Sequence, residues 1–268
     1  MNVLIIGATG YIGSHVAAAF FEAGHEVTAL RRPGGRSAPY PTVTGDLADP
    51  ASLAAAAASF DQVIHLGIPA GEDVDLAGVD ALRLAGSPII YTTGAAVLGA
   101  GSADEDSPPD PHPLVAWRAG VERRVRACGG RVIRPGMVYG HDGGLVHDLL
   151  APKAIERGTG VYIGAPGVRW PVVHIDDLAA LYLVVAEKAE PGTVWHGIGE
   201  TVRLDRLAAA LGGGTASSWP LSEATAELGP LADLFTRDQD VSAAKTHERL
   251  GWHPVHTSII DDLTATTA

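Results

Sequence analysis

Short apolar runs alternate with stretches of helical periodicity through the first two-thirds of the chain. Several runs, such as Val3–Ile6, are continuously apolar, which is typical of strands in a parallel sheet covered on both faces. The predicted strands are Asn2–Ile6, Glu26–Leu30, Thr42–Thr44, Gln62–Leu66, Pro88–Thr92 and Arg131–Arg134. The predicted helices between them are Tyr11–Ala23, Pro50–Phe60, Glu72–Ala85 and Pro113–Ala127. This alternation predicts an α/β fold with a doubly wound parallel sheet.

The regular alternation ends after Tyr139. The elements predicted beyond it are a helix at Leu145–Arg157, a helix at Asp176–Lys188, a strand at Thr193–His196, a helix at Leu204–Leu211 and a last well-formed helix at Ser242–Leu250. We therefore expect a single compact domain over residues 1–268. Its core would comprise about 1–140 and 170–195, and a small C-terminal substrate-binding lobe about 141–169 and 196–268.

The lobe carries the features expected of a substrate site. Residues 212–230 are rich in Gly, Ser and Pro, which predicts a flexible lid. The large apolar side chains that would either line a pocket or form the core of the lobe are Tyr162, Trp195, Trp219, Leu221 and Phe235. The sequence leaves these two interpretations open.

Composition and charge exclude several classes of protein. The 268 residues are 46% hydrophobic and carry 31 acidic against 19 basic side chains, so a polyanion such as nucleic acid would be repelled. Cys128 is the single cysteine, which excludes an intrachain disulfide and fits a reducing compartment. The chain begins with a strand, and its longest apolar run, Leu178–Ala186, is too short to cross a bilayer. We expect a soluble cytoplasmic protein, monomeric or homodimeric, that acts on a small molecule.

A glycine-rich segment predicts a nucleotide site. Gly7-Ala-Thr-Gly10-Tyr-Ile-Gly13 follows the first strand and opens the first helix. Glycines at this junction permit a tight turn, let backbone amides approach a pyrophosphate, and place the helix N-terminus beside its negative charge. The segment therefore predicts a dinucleotide on a Rossmann-type sheet.

The residues after the second strand indicate which dinucleotide binds. A site for NAD usually ends this strand with a carboxylate for the ribose, whereas here the strand leads into Arg31 and Arg32, with Arg36 shortly after. Guanidinium groups suit a 2′-phosphate, so we expect NADP(H). Asp46 would accept from the adenine amino group, Asp49 would cap the next helix, and Leu66-Gly67 would lie close to the ribose.

Taken together, these segments resemble the extended short-chain dehydrogenase/reductase family, also described as NAD-dependent epimerase/dehydratases. Further matches are Ile133–Gly140 (Ile-Arg-Pro-Gly-Met-Val-Tyr-Gly), Trp170–Asp177 and the terminal Asp240–Pro254 segment. The resemblance implies that Pro135, Met137 and Val138 face the nicotinamide. The full set of predicted cofactor contacts is Gly7, Thr9, Gly10, Tyr11, Ile12, Gly13, Arg31, Arg32, Arg36, Asp46, Leu47, Leu66, Gly67, Thr92, Arg118, Pro135, Met137 and Val138.

The catalytic residues of that family are missing from the matching positions. The family uses a Ser/Thr, a Tyr and a Lys, and alignment places Gly94, Leu114 and Arg118 there. The six tyrosines, Tyr11, Tyr40, Tyr91, Tyr139, Tyr162 and Tyr182, are followed four residues later by His15, Thr44, Ala95, Gly143, Pro166 and Ala186. No tyrosine has a Lys or Arg at the required spacing, so the Tyr-Lys dyad is absent.

Three interpretations of this loss remain open. The first is an active NADPH-dependent ketoreductase that takes its proton from a substrate hydroxyl. Its support is that this chain resembles atypical family members that act on aromatic polyketides in antibiotic biosynthesis. In the second, an acid elsewhere replaces the tyrosine, with Thr93, His141 or His147 as candidates; an epimerase or dehydratase relative would be of this kind. The third is a redox sensor that binds NADP(H) without turnover.

No metal is expected in any of these. The pairs His141-Asp142 and His147-Asp148 suggest ligands, but six residues along a helix turn by about 240°, which would put the pairs on different faces. His174 lies in a segment of the family motif, where we expect a packed and hydrogen-bonded role.

Overall fold

The computed structural model describes residues 1–266, and the chain divides into two compact units. The first unit comprises Met1–Thr93, Trp117–Arg134 and Ala179–Trp195. The second comprises Gly94–Ala116, Pro135–Leu178 and His196–Ala268. Residues 94–116, 135–140 and 170–178, which we had assigned to the core, thus belong to the second unit. The prediction of a single domain remains a prediction.

Strands and helices occur along the whole described chain. The strands are Asn2–Ile6 (β1), Glu26–Arg31 (β2), Thr42–Thr44 (β3), Gln62–His65 (β4), Ile89–Thr92 (β5), Gly101–Ala103 (β6), Arg131–Pro135 (β7), Met137–Tyr139 (β8), Gly160–Ile163 (β9), Arg169–His174 (β10), Val194–Gly197 (β11), Glu200–Arg203 (β12), Ala216–Trp219 (β13) and Gln239–Val241 (β14). The helices are Tyr11–Glu22 (α1), Pro50–Ala57 (α2), Glu72–Ala85 (α3), Arg118–Ala127 (α4), Ala151–Arg157 (α5), Ile175–Lys188 (α6), Leu204–Leu211 (α7), Leu221–Leu228 (α8), Leu231–Leu234 (α9), Ala244–Leu250 (α10) and Ile259–Thr266 (α11).

The first unit is built on a seven-stranded sheet with the order β11-β7-β5-β4-β1-β2-β3. The pairs β1–β2, β1–β4, β2–β3, β4–β5 and β5–β7 are parallel. The strand order reverses between β1 and β4, and ligands of open α/β sheets bind beyond the carboxyl ends of the strands at such a reversal. The predicted α/β Rossmann fold is confirmed.

The central strands explain why their sequences are apolar throughout. Val3, Leu4 and Ile5 of β1 are fully buried, as are Val63 and Ile64 of β4, because helices cover both faces of the sheet. On one face, a cluster of buried side chains from β1, β4, α2, α3 and α4 forms the core of this unit; it includes Leu4, Leu53, Val63, Val79, Leu82, Val121 and Val125.

The second unit contains three small sheets. β8, β10 and β12 form one, in which β10 pairs parallel to β8 and antiparallel to β12. β9 pairs parallel to β13, and β6 pairs parallel to β14. Trp170 stacks on Phe235 with ring centroids 4.6 Å apart, and Trp219 is buried in the same core. The core interpretation therefore holds for Trp219 and Phe235, whereas Leu221 is 37% exposed.

Several predicted elements need correction. Pro113–Ala127 is not one helix: a 3₁₀ turn covers Pro113–Val115, and α4 starts at Arg118. Leu145–Arg157 begins with a π-helical turn over Val146–Leu150 rather than as an α-helix. These departures lie at helix N-termini, where tertiary packing rather than propensity decides the geometry.

One further prediction for the C-terminal region, that the last helix ends at Leu250, was wrong. The last helix is α11, which follows α10 and packs on α7. The segment 212–230 contains β13 and α8, and its Trp219 is 2% exposed. The flexible lid expected there stays a prediction. Within residues 1–266, no helix is long and apolar enough to cross a membrane.

Candidate functional site

The glycine segment between β1 and α1 forms a close turn. Gly7 has a φ of +90°, and its carbonyl accepts from the Gly10 amide at 2.9 Å. A Cβ on Gly13 would lie 2.0 Å from the Gly7 oxygen, so only glycine permits this approach of helix to turn. Gly10 caps α1 without a side-chain hydrogen bond, and the first turn of the helix has no acidic residue. A helix N-terminus of this kind fits a diphosphate.

The arginines lie where the β2 strand ends. Arg31 is its last residue and is half-buried, whereas Arg32 and Arg36 are exposed in the following loop. The Arg36 side chain reaches the Thr9 carbonyl at 3.5 Å, which connects this loop to the glycine turn. Within the described part of the first unit, none of the three forms an ion pair with a carboxylate. Their charges are therefore available to a phosphate.

The carboxyl end of β4 approaches the same turn. A Cβ on Gly7 would lie 2.9 Å from the backbone carbon of Leu66, and one on Gly67 would lie 2.9 Å from Leu47 Cδ1. The structure thus brings Leu47, Leu66 and Gly67 beside the glycine turn. Asp46 Oδ1 accepts from the Ala48 amide at 2.9 Å. Asp49 accepts from the Ser52 amide at the start of α2, which confirms its predicted capping role.

Hydroxyl groups at the carboxyl end of β5 are bonded within the first unit. Thr92 Oγ1 lies 2.6 Å from the Tyr182 hydroxyl. Thr93 donates to Glu122 Oε1, and Arg134 binds the same carboxylate through two nitrogens. Glu122 and Arg134 are each 2% exposed. Since its hydrogen is given to a buried carboxylate, Thr93 is a poor proton donor for a ligand.

Sequence reasoning missed a buried group of polar side chains in the same unit. Asp75 of α3 accepts from the Tyr91 hydroxyl, and its other oxygen lies 3.6 Å from His65 Nε2. Burial raises the pKa of the Asp75 carboxyl. Burial, and then the nearby Arg118 charge, lower the pKa of His65 to about 4. The sequence signal was available, because His65 and Asp75 are polar residues at positions of a buried strand and a buried helix face.

Arg118 stands at the start of α4, beside this group. Its guanidinium carbon lies 4.7 Å from the centroid of the Trp117 ring, and NH1 lies 3.5 Å from the Thr92 carbonyl oxygen. The charge of Arg118 acts on the pKa of His65, Asp75 and Tyr91, so all three lie within its electrostatic reach.

The remaining predicted positions belong to the second unit. A Cβ on Gly94 would meet only the Pro135 carbonyl oxygen, at 3.8 Å, which brings these two residues together with free space beside them. Met137 and Val138 lie in β8, which pairs with β10. Leu114 lies in the 3₁₀ turn and is 42% exposed.

His141 and His147 are surface residues. His141 Nε2 lies 2.9 Å from Asp176 Oδ2, and His147 Nδ1 lies 3.1 Å from Asp148 Oδ1; both imidazoles are more than half exposed. His141 lies in a turn with a φ of +49°, so the helical argument about its spacing from His147 does not apply to it. His174 is buried and accepts from the Asp176 amide, which confirms its expected packed role.

One group of metal-ligand types was not anticipated. Donor atoms of His174, Asp176 and His256 lie within 4.8 Å of one another. The two imidazoles are stacked, however, with centroids 3.8 Å apart and planes 21° apart. Because imidazole lone pairs lie in the ring plane, stacked rings do not converge on one ion. The second histidine instead contributes to lowering the pKa of His174, after burial itself.

Comparisons with known proteins agree with this site. The sequence model of the NAD dependent epimerase/dehydratase family matches residues 3–84. An uncharacterized protein of Schizosaccharomyces pombe is 30% identical over 294 residues, which cover 98% of each chain. A 2-alkyl-3-oxoalkanoate reductase of Stenotrophomonas maltophilia is 26% identical over 227 residues, which cover 74% of this chain and 68% of the relative.

Solved structures share the fold. A human epimerase family protein, crystallised with NADPH, has a TM-score of 0.79 at 23% identity, covering 99% of this chain and 98% of that chain. Other structures of the same fold contain NAD, so the fold leaves the choice between NAD and NADP open. The family match, the full-length relative and the dinucleotide geometry lead to one assignment: the chain belongs to the NAD-dependent epimerase/dehydratase family of NAD(P)-binding, oxidoreductase-like proteins.

Proposed function

We propose that this protein is an NADP(H)-dependent ketoreductase that reduces a ketone on a bulky, aromatic or polyketide-like substrate, with the proton supplied by the substrate. The observation that carries the proposal is the lack of a free proton donor at the positions matched to the family's catalytic residues. Leu114 has no proton to give, and Thr93 donates its hydrogen to Glu122. The Stenotrophomonas relative, a 2-alkyl-3-oxoalkanoate reductase, supports a ketone as the reducible group.

The cofactor part of the proposal rests on charge. The glycine turn and the α1 N-terminus would hold the diphosphate, and Arg31, Arg32 and Arg36 would hold a 2′-phosphate. NADPH, when bound, supplies a hydride to the carbonyl carbon. The chain's own part is to bind and orient both partners and to stabilise the charge that develops on the substrate.

The arginines provide the test of cofactor choice. In Arg31→Asp, we expect NADPH affinity to fall by about tenfold or more while NADH affinity is unchanged or rises, because a charge-assisted phosphate contact becomes a repulsion. Isothermal titration with both cofactors measures this. Arg206→Asp, on the exposed face of α7, makes the same charge change elsewhere and should alter neither affinity. Equal affinities for NADPH and NADH in the wild-type protein would refute the cofactor assignment.

Substrate-assisted protonation provides the test of the reaction. A hydroxyl beside the ketone can give its proton to the carbonyl oxygen while the carbonyl carbon gains the hydride. We expect an ortho-hydroxyaryl ketone to oxidise NADPH, whereas its methyl ether binds with little change in affinity and loses turnover by about a hundredfold or more. His141→Ala and His147→Ala should keep most of the activity. A methyl ether reduced at the normal rate would exclude substrate assistance, and a large loss in either variant would identify a protein acid.

The same lack of a proton donor favours a second candidate, a protein that senses NADP(H) without turnover. It predicts tight cofactor binding and no NADPH oxidation with any ketone tested. Turnover measurements across ortho-hydroxyaryl ketones therefore distinguish the two.

A further inference from the structure

The first unit holds a cation with open hydrogen-bond donors. Arg118 is half-buried, stacks over Trp117, and has one hydrogen bond within the described part of this unit, at 3.5 Å to the Thr92 carbonyl. No carboxylate oxygen in that part of the chain lies within ion-pair distance of its guanidinium. A guanidinium offers five N–H donors in a planar fork, so most of those of Arg118 remain for a ligand.

Two buried acidic side chains of the first unit do not neutralise Arg118. Glu122, one turn later on α4, is bound by Arg134 and by Thr93. Asp75 is fully buried, and the single hydrogen bond it accepts comes from Tyr91. A buried carboxylate with one hydrogen bond is costly, and burial accordingly raises the pKa of Asp75.

The geometry around Asp75 fits its neutral form. His65 Nε2 and Asp75 Oδ1, 3.6 Å apart, both lack a hydrogen-bond partner. A proton on Oδ1 could be donated to Nε2 after a shift of a few tenths of an ångström, which would satisfy both buried atoms at once. In that form Asp75 does not compete for Arg118.

We infer that Arg118 is the anion-binding residue of the substrate site, which binds the oxygen of the substrate hydroxyl once its proton has passed to the ketone. This inference rests on the proposed function. In the reaction, the hydroxyl oxygen keeps the electron pair of its O–H bond and becomes a phenolate, which later takes a proton from water. In sum, ketone, NADPH and one proton give alcohol and NADP⁺.

Arginine suits this role better than the lysine of the family. It stays charged throughout the working pH range, so it stabilises an anion without exchanging a proton. An ortho-acyl phenolate presents two oxygens on one side, as a carboxylate does, and the planar fork of Arg118 can bind both. Fixed charges aimed at a developing oxyanion are a major source of rate enhancement. Arg118 is also predicted to contact the cofactor ribose, and it would use other N–H donors of its guanidinium for that contact.

The test measures ionisation of a bound phenol and needs no turnover. The full chain is saturated with NADP⁺, and 1-hydroxy-2-acetonaphthone is titrated with alkali while the absorbance of its phenolate is followed. We expect the wild-type protein to lower the pKa of the bound probe by about one unit or more, equal to at least tenfold tighter binding of the phenolate. Arg118→Gln should abolish the shift, and Arg118→Lys should keep part of it. Affinity for the methyl ether should change less than about twofold in both variants.

Control variants separate this effect from general charge and from folding. Arg124→Gln removes another arginine of α4, one paired with Asp80, and should leave the shift intact. Asp75→Asn should keep phenolate affinity within about twofold, since Asp75 is hydrogen-bonded to Tyr91 and forms no ion pair with Arg118 in the described part of the unit. Circular dichroism and the Kd for NADP⁺ are measured for every variant.

The outcomes are distinct from those that test the proposed function. If the wild-type protein does not shift the pKa of the bound probe, or if Arg118→Gln shifts it equally, the inference is overturned even if ketones are reduced. A shift that depends on Arg118, in a protein that never oxidises NADPH, supports anion binding and refutes the ketoreductase.

Discussion

At the scale of single residues, the first unit contains two buried carboxylates in different environments. Glu122 is bound through two nitrogens of Arg134 and accepts from Thr93, which makes it a fully paired anion. Asp75 has a tyrosine and a histidine as neighbours and no ion pair in the described part of the unit. The two carboxyls thus lie at similar depth but have different partners, and burial raises the pKa of Asp75.

The Glu122–Arg134 pair predicts a large effect on stability. Glu122→Gln leaves the Arg134 charge buried without a counter-ion, so the free energy of unfolding should fall by about 3–5 kcal/mol. Urea denaturation measures this. Asp80→Asn breaks the exposed pair with Arg124 and serves as the matched control, with an expected loss below about 1 kcal/mol. Similar losses in the two variants would show that burial does not strengthen the pair.

At the scale of elements, the β1–α1 junction joins fold and function. The approach of α1 to the Gly7 carbonyl requires glycine at position 13, and the same geometry directs the helix N-terminus toward a ligand. Packing of helix against strand and binding of a diphosphate thus depend on one backbone contact.

Gly13→Ala should weaken the packing of α1 against β1 and the binding of the diphosphate at the same time. The added Cβ would lie 2.0 Å from the Gly7 oxygen, so the backbone must move, and we expect a loss of about 1–3 kcal/mol in stability and of tenfold or more in NADPH affinity. Thermal unfolding and calorimetry measure the two effects. In Gly120→Ala on α4 the new Cβ would meet nothing closer than 3.8 Å, so this variant should keep its NADPH affinity and gain up to about 1 kcal/mol. Normal NADPH affinity in Gly13→Ala would contradict the proposed diphosphate site.

At the scale of the whole molecule, histidines with lowered pKa values contribute to the pH dependence of stability. The folded-state pKa of His65 is about 4, below its unfolded value near 6.5, so the unfolded chain binds more protons between these values. Burial lowers the pKa of His174 and His247 in the same direction. The raised pKa of Asp75 acts oppositely: its contribution is complete below about pH 3.8 and is lost as the pH rises through the folded value.

The contribution of His65 to stability should therefore be lost as the pH decreases from 6.5 toward 4. This loss is about 3 kcal/mol, from the distance between its two pKa values. Urea denaturation of the wild-type protein and of His65→Gln at a series of pH values measures it. The pH dependence of the two proteins should differ by about that amount over this range, and His147→Gln, on an exposed imidazole, is the control. An unchanged slope in His65→Gln would mean that His65 is protonated in the folded protein.

The sequence alone determined the α/β class, the parallel sheet and the glycine turn. Short continuous apolar runs such as Val3–Ile6, alternating with helical stretches, are typical of strands covered on both faces, and the spacing of Gly7, Gly10 and Gly13 favours a turn between strand and helix. The bounds of α3 and α7 were predicted to the residue, because strong periodicity and local signals coincide there. These features are determined by residues close together in the chain, so the sequence is sufficient to predict them.

Only the tertiary structure decided which polar groups meet. The His65, Asp75 and Tyr91 group assembles from β4, α3 and β5, and a second group assembles from Thr93 just after β5, Glu122 of α4 and Arg134 of β7. Short strands such as β9 and β13, which pair across more than fifty residues, and the burial of Trp219 were equally invisible in sequence. Contacts between distant residues depend on the packing of the whole chain, and no local pattern records them.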